Sequence, residues 1–139
     1  MATSSGGIVP LMGRILLSSV FIIAGVGKIG GFSMEEAFVA SKHLPLPAVA
    51  LGIAMLIELV GGLAILVGFY TRFAAWIVFL YMIPTTFLFH NFWTMQGAAR
   101  QDNQLHFEKN IAIMGGLLIL AAFGAGGFSV DAARAPQSA

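Results

Sequence analysis

Apolar side chains run along the chain in four blocks, Ile8–Ile29, Ala48–Phe69, Phe73–Trp93 and Leu105–Gly124, separated by polar punctuation. Each block is about 20 residues long, the length at which a helix rising about 1.5 Å per residue crosses the hydrocarbon of a bilayer. The pattern predicts an all-α protein: an integral membrane four-helix bundle, with residues 1–139 forming a single membrane domain. The turn Tyr70–Arg72 is too short for anything but an antiparallel hairpin of the second and third helices. In the first loop, Gly30–Pro47, the run Ser33-Met34-Glu35-Glu36 reads as a short capped helical turn, and Leu44-Pro45-Leu46-Pro47 as a proline lead-in to the second span. Thr94–Gln104 is expected to be a loop. The first block is expected to be a retained helix and not a cleaved signal, because Arg14 and Lys28 lie within it.

Composition strengthens the membrane assignment. Of 139 residues, 58% are hydrophobic and 9% charged, where a soluble domain carries roughly 25% charged residues. A net charge of +1 with no basic cluster excludes nucleic acid as a partner. The absence of cysteine excludes disulfides, thiolate metal sites and iron–sulfur clusters. Electron transfer would therefore need a bound cofactor or quinone. No covalently bound cofactor is expected.

An even number of spans puts both termini on one side. That side holds Arg14, Arg72 and Arg134; the loop side holds Lys28, Lys42, Arg100 and Lys109, diluted by Glu35, Glu36, Asp102 and Glu108. If Lys28 and Lys109 point inward, the terminal side carries more of the topology-setting cations and is the cytoplasmic one.

Chemistry is concentrated in the few charges inside the helices. Glu58 sits mid-span, so it should face the bundle interior, paired or protonated, with Gly61 and Gly62 on its face. A helix-packing hydrogen bond is the competing reading. In the first helix Arg14, Ser18, Phe21, Gly25 and Lys28 share one stripe. Arg14 is the expected partner of Glu58, while Lys28 either joins the site or snorkels to the headgroups. Pro84 predicts a kink near Leu80, with Thr85 and Thr86 bonding the freed backbone and His90 one turn on.

The fourth span opens on His106-Phe107-Glu108-Lys109-Asn110, and its purely apolar stretch is too short to cross alone, so these polar residues are drawn into the boundary. The resulting candidate pocket is Arg14, Lys28, Glu58, His90, Glu108, Lys109 and Asn110, open to the loop side, with Glu58 as its floor. Phe87, Phe89, Phe92 and Trp93 around His90 read either as an interfacial belt or as walls for a planar ring. Metal ligation finds no support in the spacing of His43, His90 and His106; a haem would require His90 with His106. The glycines at Gly124-Ala-Gly126-Gly127 stop a helix and cradle no phosphate. No nucleophilic triad is spaced for catalysis.

Several segments, in order, resemble the DoxX family of inner-membrane proteins. They are Gly13-Arg14-Ile15-Leu16-Leu17 through Phe21 to Lys28, Glu58 through Gly61-Gly62 and Gly68 to Arg72, His90-Asn91-Phe92-Trp93, Glu108-Lys109-Asn110, and Gly124 to Asp131. Gly127 and Val130 stand where the usual ending has Arg and Leu. The resemblance implies a four-helix inner-membrane bundle. Wider relatives resemble subunits of thiosulfate:quinone oxidoreductase, or are linked to membrane assemblies with sulfurtransferase and superoxide dismutase. The expected function is thus a small membrane subunit that binds a quinone or other small molecule beside redox partners, within the lipid bilayer. A structural or assembly subunit is the alternative, and a proton path or small transporter a third, against which four helices and no inverted repeat speak.

Overall fold

The computed structural model describes residues 5–136. Four helices are long and apolar enough to cross a membrane: α1 (Ser5–Gly30), α3 (Pro47–Val67), α4 (Thr71–Phe89) and α5 (Gly97–Phe123). Two shorter helices, α2 (Phe32–Ser41) and α6 (Val130–Arg134), lie between α1 and α3 and after α5, and a 3-10 turn at Phe92–Thr94 follows α4. No strand occurs among the described residues. Helix α1 packs along α3, α5 packs along α4, and the middle of α3 joins the two pairs by meeting α4. Their shared core holds Phe21, Ile65, Ala75, Val78, Met82 and Leu117. Leu16, Ile23, Phe73 and Phe123 stay exposed, an apolar outer surface of the kind a bilayer covers.

The spans match the expected blocks, with differences that apolar counting could not register. Helix α5 begins at Gly97, so the expected loop is mostly helix, because Ala98, Ala99, Arg100 and Gln101 are strong helix formers outside the apolar window. The capped turn in the first loop is a ten-residue helix, α2, whose N-terminus has no side-chain cap. Pro47 does open α3, at the position where its missing N–H costs nothing. Helix α4 continues through Pro84, with the Thr85 hydroxyl donating to the Tyr81 carbonyl at 2.9 Å. Thr86 turns away from its own helix and accepts from Asn110 Nδ2 at 3.2 Å.

The stripe on α1 is buried as its spacing predicts: Arg14, Ser18, Phe21 and Gly25 are covered and Lys28 half-covered. Its chemistry differs. Arg14 is 1% exposed yet does not meet Glu58. Its Nη1 donates to the carbonyls of Leu66 (2.6 Å) and Ile65 (3.4 Å), and its Nη2 to that of Phe128. Ile65 lies about 10 Å along α3 from Glu58. The expected ion pair fails because Arg14 reaches the end of α3 first, where the last carbonyls lack helical partners and carry the negative end of the helix dipole. Gly68 makes this approach feasible: at φ +71° it turns the chain, and a side chain there would stand 2.7 Å from Arg14 Nη1.

The segment after α5 completes the same knot. Asp131 Oδ1 accepts the Tyr70 N–H (2.8 Å), and its Oδ2 accepts the Thr71 N–H (2.8 Å) and hydroxyl (2.7 Å), while its own N–H donates to the Gly68 carbonyl (2.8 Å). A carboxylate from the C-terminal tail thereby caps α4. Burial alone would raise the Asp131 pKa. The hydrogen bonds from Thr71 and Tyr70, with the nearby Arg134, outweigh it and hold the carboxyl below its ordinary value.

Two outcomes follow for stability in detergent. Arg14→Leu removes the side-chain donor of the Leu66 and Phe128 carbonyls, leaving Ile65 only its Gly68 N–H, and should lower unfolding stability by about 2–4 kcal/mol, as read from thermal or denaturant melts, with Arg14→Lys recovering part of the loss. A carboxyl whose pKa is depressed by folding stabilises above its unfolded value and loses that contribution as pH falls through the folded one. Wild-type melting temperature should therefore drop below about pH 4, and Asp131→Asn should show a lower neutral-pH value with a flatter acid limb.

Candidate functional site

Helix α1 ends only two residues past Lys28, about 3 Å, whereas α3 extends some 16 Å beyond Glu58 toward the same side. The recess left over the end of α1 is roofed by α2 and walled by α3 and α4. A cavity of about 480 Å³ fills it. Leu51, Ala54, Pro84 and Leu88 give it apolar sides, Phe38 and Phe89 aromatic ones, and Lys28, Glu58 and Tyr81 its polar floor, with Glu35 and His90 also on the lining.

A π-helical turn at Ile57–Gly61 carries Glu58. Such a turn takes an extra residue per loop of backbone and re-aims its side chains, a device frequent at functional sites. Gly25 admits the close crossing of α1 here, since an added Cβ would stand 2.7 Å from Leu59 and 3.4 Å from the Glu58 Cβ. Lys28 Nζ lies 3.0 Å from Glu58 Oε1 and 2.9 Å from Oε2, and the Tyr81 hydroxyl donates to Oε1 at 2.7 Å. The carboxylate is 6% exposed and the lysine side chain 19%. Lys28 thus takes the role expected of Arg14 as the partner of Glu58, and it points inward and does not snorkel.

The roof is fastened to the end of α4. Phe38 meets Phe89 with ring centres 5.4 Å apart, and Lys42 Nζ donates to Asn91 Oδ1 at 3.2 Å while lying 5.5 Å from the Phe38 ring. His90 ends α4; its Nδ1 is 3.4 Å from Asn103 Oδ1 and its ring stacks on His106 at 5.1 Å.

Of the seven residues grouped from sequence, the fold brings Lys28, Glu58 and His90 to this cavity. Arg14 serves the knot at the other end. Glu108 is exposed and accepts from Gln104 (2.9 Å), and Lys109 is exposed with its Nζ 3.2 Å from His106 Nδ1. Asn110 is buried against Thr86. These three depart because α5 packs on α4 and contributes nothing to the recess over α1. The aromatics divide: Phe89 lines the cavity, while Phe87, Phe92 and Trp93 cluster edge to face or tilted around Phe107 or each other outside it. Sequence reasoning missed Tyr81, Glu35 and Phe38. Tyr81 had a signal, a hydroxyl in mid-span one turn before Thr85; the others sit on the helix read as a turn.

A family model described as DoxX matches residues 9–91, a span that contains Lys28, Glu58, Tyr81 and His90. The chain is 36% identical to the inner membrane protein YphA of Escherichia coli, over 87% of this chain and 86% of that one. It is 40% identical to the inner membrane protein YqjF of the same organism, over 87% and 88%. A shorter likeness, 29% identical over 55% of this chain and 25% of the relative, joins it to the ER-derived vesicles protein ERV29 of Saccharomyces cerevisiae. No solved structure matches.

The floor predicts a double-mutant cycle. Lys28→Met leaves Glu58 buried without its counter-charge and should cost about 3–5 kcal/mol of stability at neutral pH. The Lys28→Met/Glu58→Gln double variant should cost clearly less than the sum of the two single changes. Additive losses in detergent melts would mean that the two groups do not couple.

Proposed function

The chain belongs to the DoxX family, and from that premise we propose that it is a membrane subunit binding a quinone or other small molecule in the cavity over Lys28, Glu58 and Tyr81, within a membrane oxidoreductase assembly. The observation that carries this reading is a set of polar groups gathered at the floor of a cavity whose sides are apolar and aromatic. Ligand sites combine such walls with a few placed polar groups. The cavity's size, about 480 Å³, lies within the range of small-molecule sites. With no cysteine to carry electrons, the chain would depend on its ligand and on neighbouring subunits for any redox step.

Its relatives are named as inner membrane proteins and it has four membrane-capable helices, which support residence in the inner membrane. The cations do not set the orientation: Lys28 is committed to Glu58, but Lys109 is exposed, so Lys42, Arg100 and Lys109 on the loop side balance Arg14, Arg72 and Arg134 on the terminal side. A purely structural subunit is the second reading, favoured by the fact that Lys28, Glu58 and Tyr81 are already bonded to one another.

Purification in mild detergent separates the two. The binding reading expects a quinone or similar small molecule in the solvent extract, redox subunits among the copurifying polypeptides, and loss of the small molecule alone in Ala54→Phe, which fills the cavity one turn from Glu58. Wild-type protein that yields no small molecule, or one whose small molecule is retained in Ala54→Phe, would overturn the binding reading and leave the structural one.

A further inference from the structure

One carboxylate on the cavity lining is unpaired. Glu35 sits on α2, half-buried, with no hydrogen bond and no cation within ion-pair distance among the described residues. The other charges nearby are already committed or lie elsewhere. Lys28 Nζ is within 3.0 Å of both oxygens of Glu58, so the floor carries no net charge. Lys42 comes seven residues after Glu35, about 10 Å along α2, where it donates to Asn91 and stands off the lining. Glu36 is a second carboxylate on the roof helix and also lies off the lining. His90 has its Nδ1 3.4 Å from Asn103 Oδ1 and is uncharged unless protonated.

A lone carboxylate beside an apolar, poorly polarisable space is costly once a ligand shuts it off from water. An anion would add to that cost, and an uncharged ligand would leave it standing. A ligand with one positive charge removes it, while a second charge would face Lys28 and Lys42 with no carboxylate left on the lining. The walls favour the same sign. Phe38 lies three residues after Glu35 on the same face of α2, and its ring meets Phe89 with centres 5.4 Å apart. Aromatic faces attract cations. Lys42 already lies 5.5 Å from the Phe38 ring, whereas no cation of the described residues stands over Phe89. Leu51, Ala54 and Leu88 leave space for an apolar body behind the charge.

We propose that the cavity takes an amphiphilic monocation, an ammonium on an apolar body, with Glu35 as its counter-ion and the Phe89 ring against its charge. This rests on the binding reading above and, among the small molecules that reading admits, names a charge class distinct from a quinone.

The test compares (2-naphthylmethyl)trimethylammonium with 2-neopentylnaphthalene, the same shape with carbon in place of the charged nitrogen. Equilibrium dialysis against the full chain in nanodiscs of zwitterionic lipid, with empty nanodiscs as blank, should show the cation bound about tenfold or more tightly than its isostere. In Glu35→Gln that preference should vanish while the isostere's affinity stays. In Glu36→Gln, which removes the neighbouring carboxylate off the lining, the preference should survive. A preference retained in Glu35→Gln, or lost equally in Glu36→Gln, would overturn the counter-ion assignment. Equal affinities for the two probes, both abolished by Ala54→Phe, would overturn the charge assignment and leave the pocket reading standing. No saturable binding of either probe to the wild type would overturn the proposal, and the solvent extract of the purified protein would then decide the binding reading by itself.

Discussion

Lipid accepts and donates no hydrogen bonds, so each polar group inside this bundle has to be satisfied by another part of the chain. That constraint shapes both ends of α1. Near the terminal side Arg14 settles among carbonyls, taking those of Ile65 and Leu66 at the end of α3 and of Phe128 beyond α5. Near the loop side Lys28 settles on Glu58. A guanidinium with five donors in a fixed fork suits several scattered carbonyls, whereas an ammonium behaves as a compact charge suited to one carboxylate. The two cations on one stripe are thereby given different work by what lies at their depth.

The knot at the terminal side is a closed structure. Gly68 turns the chain, Asp131 caps α4 through Tyr70 and Thr71, and Arg14 ties in the segment that carries Asp131. Every one of these bonds joins segments far apart in sequence, so the knot fixes how α1, α3, α4 and the tail sit together. The loop side is built on the opposite principle. There α1 stops short, and α2 spans the gap, packing on α3 through its length and meeting the end of α4 by an aromatic contact and the Lys42–Asn91 hydrogen bond. A firmly tied end and a recess at the other give the molecule one rigid base and one cavity.

The floor of that cavity joins energetics to function. Glu58, Lys28 and Tyr81 form a network that is nearly self-sufficient, which lets a carboxylate exist at mid-depth. Above it the cavity is lined by rings and aliphatic groups, where a polar contact gains strength from the low local dielectric.

The four spans, the hairpin, the buried stripe on α1 and the inward orientation of Glu58 follow from residue order alone, because length, apolar blocks and helical spacing are local properties that the bilayer reads directly. Residue order also singled out Lys28, Glu58 and His90, which do share the cavity. Which cation meets Glu58 is a matter of packing, since it depends on the relative depth of α1 and α3 and on the carbonyls at the end of α3. The π-helical turn and the α2 roof were likewise hidden, one being a backbone adjustment without a residue signature and the other too short and mixed in character to register as apolar pattern. Glu108, Lys109 and Asn110 lie at a suitable depth but on a helix packed against the wrong partner. Depth follows from counting residues along a chain; the neighbour at that depth follows from how the helices pack.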